Sequence, residues 1–229
     1  MDKGYICGQG ELWGQSDVIG FGSSSFNVTE MSRNKANRII KDNHYSHKFY
    51  NASYIHLGVE LDGKLVGVLQ YGYAMNPASM DGVVAGTKID EYLELNRMWF
   101  CDDSPPNAKT MAISYSIKYI KRKYPKIAWV QSFADERCGK LGIVYQAANF
   151  IYCGEHTSVF WELNGVVYHN SLMTRNPDLS KSAAYIQKNK DSATPSQYRQ
   201  FRYLYFIKRG VKKNLRLGIL PYPKHYTDE

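Results

Sequence analysis

The chain lacks any apolar run near the roughly 18 residues that a membrane-spanning helix requires. Its start, residues 1–22, carries Asp2, Glu11 and Asp17 where a secretory leader would have a basic start and an apolar stretch. No membrane partner is expected. Its four cysteines (Cys7, Cys101, Cys138 and Cys153) include no Cys-x-x-Cys pair. That argues against a zinc site or disulfide framework and fits a reducing cytoplasm. No segment repeats. Between Arg199 and Lys224 there is no Asp or Glu.

The chain has 229 residues, 44% of them hydrophobic, enough for one sizeable core. Residues 1–25, rich in Gly and Ser, read as an irregular lead-in, and residues 26–229 as one domain. The net charge is +8, and the segment 199–224 alone holds eight basic residues. Aromatic residues interleave with them. Cations neutralise phosphates and aromatic faces stack on bases. Arg199, Arg202, Tyr203, Tyr205, Lys208, Arg209, Lys212, Lys213, Arg216 and Lys224 are therefore candidate nucleic-acid contacts. The competing reading is a solvated basic surface over a strand whose aromatics are core.

A short helix is expected over Asn34–Asp42, with Ala36, Ile39 and Ile40 at helical spacing. Tyr54–Leu61 and Lys64–Tyr73 read as a hairpin around Asp62-Gly63. Residues 75–90 read as a loop or lid and Leu93–Phe100 as a strand. Ser104 followed by Pro105 is a helix start, and the helix carries Ile113, Ile117, Ile120 and Tyr124 on one stripe. Ile127–Phe133 is the next strand, and Gly139–Phe150 a second main helix with Ile143, Ala147 and Phe150 inward. Tyr152 and Ser158–Leu163 return as strands, and Asn164-Gly165 turns into Val166–His169. Residues 174–197 read as a loop with a short helix. The hairpin makes the early sheet antiparallel, and two later strand–helix–strand steps make part of it parallel. The fold class is α/β, a mixed, centrally splayed sheet with helices on both faces. The same element order occurs in GNAT-type acyltransferases, an analogy of fold alone.

Ligands in such sheets bind at the carboxyl ends of the parallel strands. Arg97, Asp135 and Tyr145 converge there. Asp135 is either a general base or the cap of the next helix. Tyr145 lies off the Ile143 stripe, so it either points its hydroxyl at the strand gap or fills a side pocket. Arg97, on an apolar strand, needs an anionic partner such as Glu94, Asp135 or a ligand. His44, Tyr45 and His47 form a second cluster. His44-x-x-His47 can hold a metal or be surface polar residues.

Several segments together resemble the Mom family of phage DNA-modification proteins. They are Asn43-His44-Tyr45-Ser46-His47, Glu94-Leu95-Asn96-Arg97-Met98-Trp99, Asp103-Ser104-Pro105 with Asn107-Ala108, and Ser132-Phe133-Ala134-Asp135. Gly142 to Phe150 and Leu220-Pro221-Tyr222-Pro223-Lys224 complete the set, in order along most of the chain. The resemblance implies a GNAT-like transferase that converts adenine in duplex DNA to an N6-carbamoylmethyl-type adenine and so shields phage DNA from restriction enzymes. By position it implies roles for His44, Tyr45, Arg97, Asp135 and Tyr145. The expected location is the host cytoplasm.

Adenine N6 is a poor nucleophile hidden in the base stack, so the base must be flipped out of the duplex. Asp135 or His44 would take the N6 proton, Tyr145 would protonate the leaving group, and Arg97 would hold the donor or an oxyanion. The donor is acetyl-CoA or a glycine-carrying species such as an aminoacyl-tRNA, whose glycyl group has the atoms of a carbamoylmethyl group. Asp102-Asp103-Ser104-Pro105-Pro106 departs from the Gly-rich loop that cradles a coenzyme A pyrophosphate. Iron at His44 and the tyrosines is conceivable. Two other classes compete: an ordinary acyl-CoA N-acetyltransferase on a protein or small amine, and a non-catalytic DNA-binding protein.

Overall fold

The computed structural model describes residues 2–8, 17–139 and 141–224. Its sheet runs β1 (Gly4–Cys7), β2 (Val18–Gly22), β3 (Phe26–Glu30), β4 (Ser53–Leu61), β5 (Lys64–Gly72), β6 (Tyr92–Phe100), β7 (Trp129–Asp135), β10 (Thr194–Phe206), β8 (Ile151–Leu163) and β9 (Val166–His169), in that spatial order. The irregular lead-in is corrected: residues 4–7 and 18–22 pair antiparallel, 4–7 as the edge strand and 18–22 between it and β3. Residues 9–16 and 225–229 lie outside the described residues.

Local signals explain most elements. The β4–β5 hairpin closes on Asp62 (φ +48°) and Gly63 (φ +77°), the left-handed pair its turn requires. Helix α1 (Arg33–Asn43) starts at Ser32, whose side chain accepts from Lys35 N, and buries Ala36 and Ile40. Helix α2 (Ala108–Lys123) buries Ile113, Ile117 and Ile120. It begins later than expected. Pro106 bars the helical conformation at the residue before it, and the Ser104 hydroxyl donates to Cys101 O instead of capping.

The helices lie on opposite faces. Neighbouring residues of a strand point to opposite faces. Val68 packs with α1, and Leu69 joins the core under α2.

The expected second main helix shrinks to α3 (Ile143–Ala147). Gly139 (φ +62°), Gly142 (φ +77°) and Asn149 (φ +62°) hold left-handed backbone that a helix cannot include. The inward side is consequently Tyr145, with Ile143 exposed. The next helix, α4 (Lys181–Lys188), starts from Ser180. Residues 77–82 form a 3-10 turn. Met80, Val83 and Val84 are buried there, and Val84 bridges to Leu215, so the expected lid is packed down.

One expectation about the sheet changes and one stands. Strands β7 and β8 do not pair, because β10 lies between them, antiparallel to both. The only parallel ladder among the described residues is β6–β7. It splays: pairing covers Tyr92↔Trp129, Leu93↔Val130 and Glu94↔Gln131 and then stops. The cause is next to it. Gln70 pairs with Arg97 and Tyr71 with Leu95, so Asn96 is an extra residue that bends β6.

Gly142 sets the angle at which α3 presents Tyr145. A Cβ there would lie 2.4 Å from the Tyr203 ring, on a backbone of positive φ. Gly142→Ala is expected to cost about 2–4 kcal/mol, combining left-handed strain and overpacking. A fall in the thermal unfolding midpoint checks it, and an unchanged midpoint would show that α3 is free to shift.

Candidate active site at the splayed strands

The gap beyond Glu94 and Gln131 is closed by side chains. The Ser132 hydroxyl donates to Leu95 O at 3.3 Å, standing in for the missing backbone pairing. Tyr145 packs over this point from the α2 face, and its burial pushes its hydroxyl up to about 12. Ser132 beside it acts in the opposite sense. Tyr145 is thus buried beside Ser132 at the gap.

Glu94 lies on the α1 face. Its Oε2 accepts from Gln131 Nε2 at 2.7 Å and its Oε1 from Asn96 Nδ2 at 3.0 Å. Asn96 is itself held, with Oδ1 accepting from Ser53 and Nδ2 also donating to Tyr73 O. Burial raises the Glu94 pKa, more than these hydrogen bonds and Arg97 lower it. Gln131 Oε1 is buried without a hydrogen-bond partner.

Asp135 ends β7 on the same face. It caps the 3-10 turn Glu136–Cys138, accepting from Arg137 N at 3.0 Å. The Arg137 guanidinium forks onto both carboxylate oxygens, and Tyr45 donates to Oδ2 at 3.2 Å. Burial would raise the Asp135 pKa, but the Arg137 contacts outweigh it and hold the carboxyl below its usual range. Arg137 in turn stacks on Phe160, 3.8 Å from the ring centroid.

The end of α1 delivers His44 and Tyr45, whose rings stack at 4.2 Å. Ser46 N donates to His44 Nδ1 at 3.1 Å, so the neutral ring carries its proton on Nε2 and presents a donor. Burial, with Arg97 and His47 nearby, lowers its pKa to about 4. Arg97 binds neither Glu94 nor Asp135. Its Nε donates to Lys48 O at 2.9 Å and Nη1 to Asn96 O at 2.7 Å. Among the described residues no carboxylate comes within 4.0 Å of it. His47 turns outward with Nδ1 on Lys41 O. No group of three metal-type ligands occurs among the described residues.

The structure therefore brings His44, Tyr45, Arg97 and Asp135 together on one face and Tyr145 to the gap from the other. Sequence reasoning missed Arg137, two residues past Asp135, and considered Glu94 only as a partner for Arg97. The nucleic-acid candidates separate as well. Tyr203 is corrected: it is fully buried, bonded to Leu141 O and Gln146, because alternation along β10 turns Phe201 and Tyr203 into the core. Tyr205 is half-buried against Phe150. Arg199 is paired with Glu136 and Glu155, and Arg216 with Asp81. Arg202 lies over Phe133, while Lys208, Arg209, Lys212, Lys213 and Lys224 are exposed.

A mixed sheet split at the β6–β7 parallel pair, with a polar cluster at the split, defines a mixed α/β protein. Residues 25–224 match the model of the Mom protein family, and the chain belongs to that family. It is 45% identical over 213 residues to "Methylcarbamoylase mom" of Escherichia phage Mu, covering 92% of this chain and 88% of that protein. Among solved structures it partly resembles the ribosomal-protein-S5-alanine acetyltransferase of Vibrio fischeri (10% identity, 83% of this chain and 98% of that one, TM-score 0.49). A spermidine/spermine N-acetyltransferase of Vibrio cholerae is similar to the same degree (11% identity, 83% and 97% covered, TM-score 0.48).

The buried His44 makes stability depend on pH. Its folded pKa is below the unfolded value of 6.5, so the unfolded chain alone takes up that proton between pH 6.5 and about 4. Stability is full above that window and falls through it, by about 2 kcal/mol at about pH 5. Urea unfolding at about pH 7 and about pH 5 should show this loss, and His44→Gln should remove most of it. An equal loss in the variant would place the proton uptake elsewhere.

Proposed function

We propose that the protein is a transferase that places a carbamoylmethyl-type group on N6 of adenine in duplex DNA, making phage DNA resistant to restriction enzymes. The observation that carries this reading is the extensive identity to a phage protein named a methylcarbamoylase. The geometry supports it with a polar gap and an adjoining cationic surface.

The adenine is flipped from the stack and its exocyclic amine enters at the gap. Glu94 takes the N6 proton as the amine attacks. It is the carboxylate whose surroundings raise its pKa, and a base works best when its proton affinity is not suppressed. Asp135 is already saturated by Arg137 and Tyr45, so it positions those two side chains. Gln131 Oε1 accepts the second N6 hydrogen. Arg97 and the His44 Nε2–H face developing negative charge on the donor, and Tyr145 protonates the leaving group.

The donor is an activated aminoacyl group: N6 attack at its acyl carbon frees the carrier and leaves an N6-glycyl adenine, whose atoms must then rearrange to the isomeric carbamoylmethyl group. The turn before α2 does not fit a coenzyme A pyrophosphate. Pro105 and Pro106 have no N–H, the N–H groups of Ser104 and Ala108 are spent on Cys101 O and Pro105 O, and Asp102 and Asp103 are exposed there. A glycine-carrying donor such as an aminoacyl-tRNA needs no such cradle.

The test is mass spectrometry of nucleosides from plasmid DNA of cells expressing the protein. The wild type should yield deoxyadenosine heavier by one carbamoylmethyl group. Glu94→Gln should lower the yield by roughly a hundred-fold or more. Asp135→Asn should also abolish most of it while duplex binding persists. Unmodified DNA from well-expressed wild type sinks the function, and normal activity in Glu94→Gln sinks that residue's role.

A further inference from the structure

The face that carries Asp135 has a second feature at its other end. Across the β10–β7 pairing, Gln200 lies opposite Asp135, Arg202 opposite Phe133, Leu204 opposite Gln131 and Phe206 opposite Trp129. Alternation puts all eight on one face. Leu204 and Phe206 lead into a groove of about 310 Å³ lined also by Ile151, Arg209 and Lys212.

Most cations beside this groove have no acidic partner among the described residues. Arg199 and Arg216 are neutralised by carboxylates. Among the described residues no carboxylate lies within 4.0 Å of Lys208, Arg209, Lys212 or Lys213. These four sit on or beside the 3-10 turn Arg209–Asn214. The turn is anchored because Val211 and Leu215 pack against Leu204 and Trp129. Unpaired cations on a fixed backbone recognise a phosphate chain.

Two residue steps separate Leu204, opposite Gln131 at the gap, from Phe206, or about 7 Å along a strand at ~3.4 Å per residue. A duplex advances ~3.4 Å per base pair, so the groove lies about two base pairs from the gap. We infer that Arg209 and Lys212 grip the sugar–phosphate backbone of duplex DNA about two base pairs to one side of the modified adenine. The inference rests on duplex DNA being the substrate.

Fluorescence anisotropy of the full chain with a labelled duplex, salt varied from about 50 to about 200 mM, reads it directly. Arg209→Ala with Lys212→Ala should reduce the slope of log affinity against log salt by about 2. The exchange Arg209→Lys with Lys212→Arg should keep the slope. Ending the duplex at the adenine on one side should erase the difference between wild type and the alanine pair. An unchanged slope in the alanine pair overturns the inference, and so does a loss confined to tRNA binding. Binding is read without reaction, so absent adenine modification would refute the proposed function while this result still stood or fell on the slope.

Discussion

The site depends on one local failure of regular structure, the point where β6 and β7 stop pairing. Backbone groups beyond Glu94 and Gln131 lose their ladder partners, and buried ones must be satisfied some other way. Asn96, the extra residue, ties the bend to β4 through Ser53 and to β5 through Tyr73 O. Ser132 takes Leu95 O. The side chains with chemical potential all hang from this break. Glu94 is the last rung, Arg97 follows the bulge, and Asp135 ends the strand that has swung away. Even His44 and Tyr45 are tied to it, since Arg97 holds the backbone of the segment after them at Lys48 O.

What was legible in the sequence was what is encoded locally. Asp62-Gly63 and Asn164-Gly165 gave their turns, and the Ile113–Ile117–Ile120 stripe gave the buried side of α2. What misled was either non-local or a local signal overruled. Nothing in residues 194–206 states that they insert between β7 and β8. The stripe of Ile143, Ala147 and Phe150 was outweighed by left-handed Gly139 and Gly142, which delay the helix start, and by left-handed Asn149 after its end, so Ile143 is left exposed while Phe150 is buried outside the helix. Tyr203 was drawn into the cationic surface by its neighbours. The alternation of Phe201 and Tyr203 against Arg202 already separated the core face from the charged face.

The polar cluster at the gap was legible as a set of residues but not as a set of contacts. Asp135 had two readings, cap and base, and the structure shows the cap contact together with an ion pair that no spacing rule announces. Arg137 reaches Asp135 because a 3-10 turn follows at once. A longer helix starting there would have carried that guanidinium away on its own face.

The two carboxylates at the gap are pushed apart by what surrounds them. Asp135 has a guanidinium fork, a backbone N–H and a phenol, and stays an anion. Glu94 has only two carboxamides and is buried, so its proton affinity rises. Such divergence is what lets one member of a pair move a proton while the other holds position. Arg97 decides it. Were its guanidinium bonded to Glu94, that carboxyl would be held anionic as Asp135 is. Instead Arg97 spends its Nε and Nη1 donors on two main-chain carbonyls. The same bonds that fix the loop after His44 therefore leave Glu94 able to accept a proton and leave the positive charge of Arg97 available to an anion entering the gap.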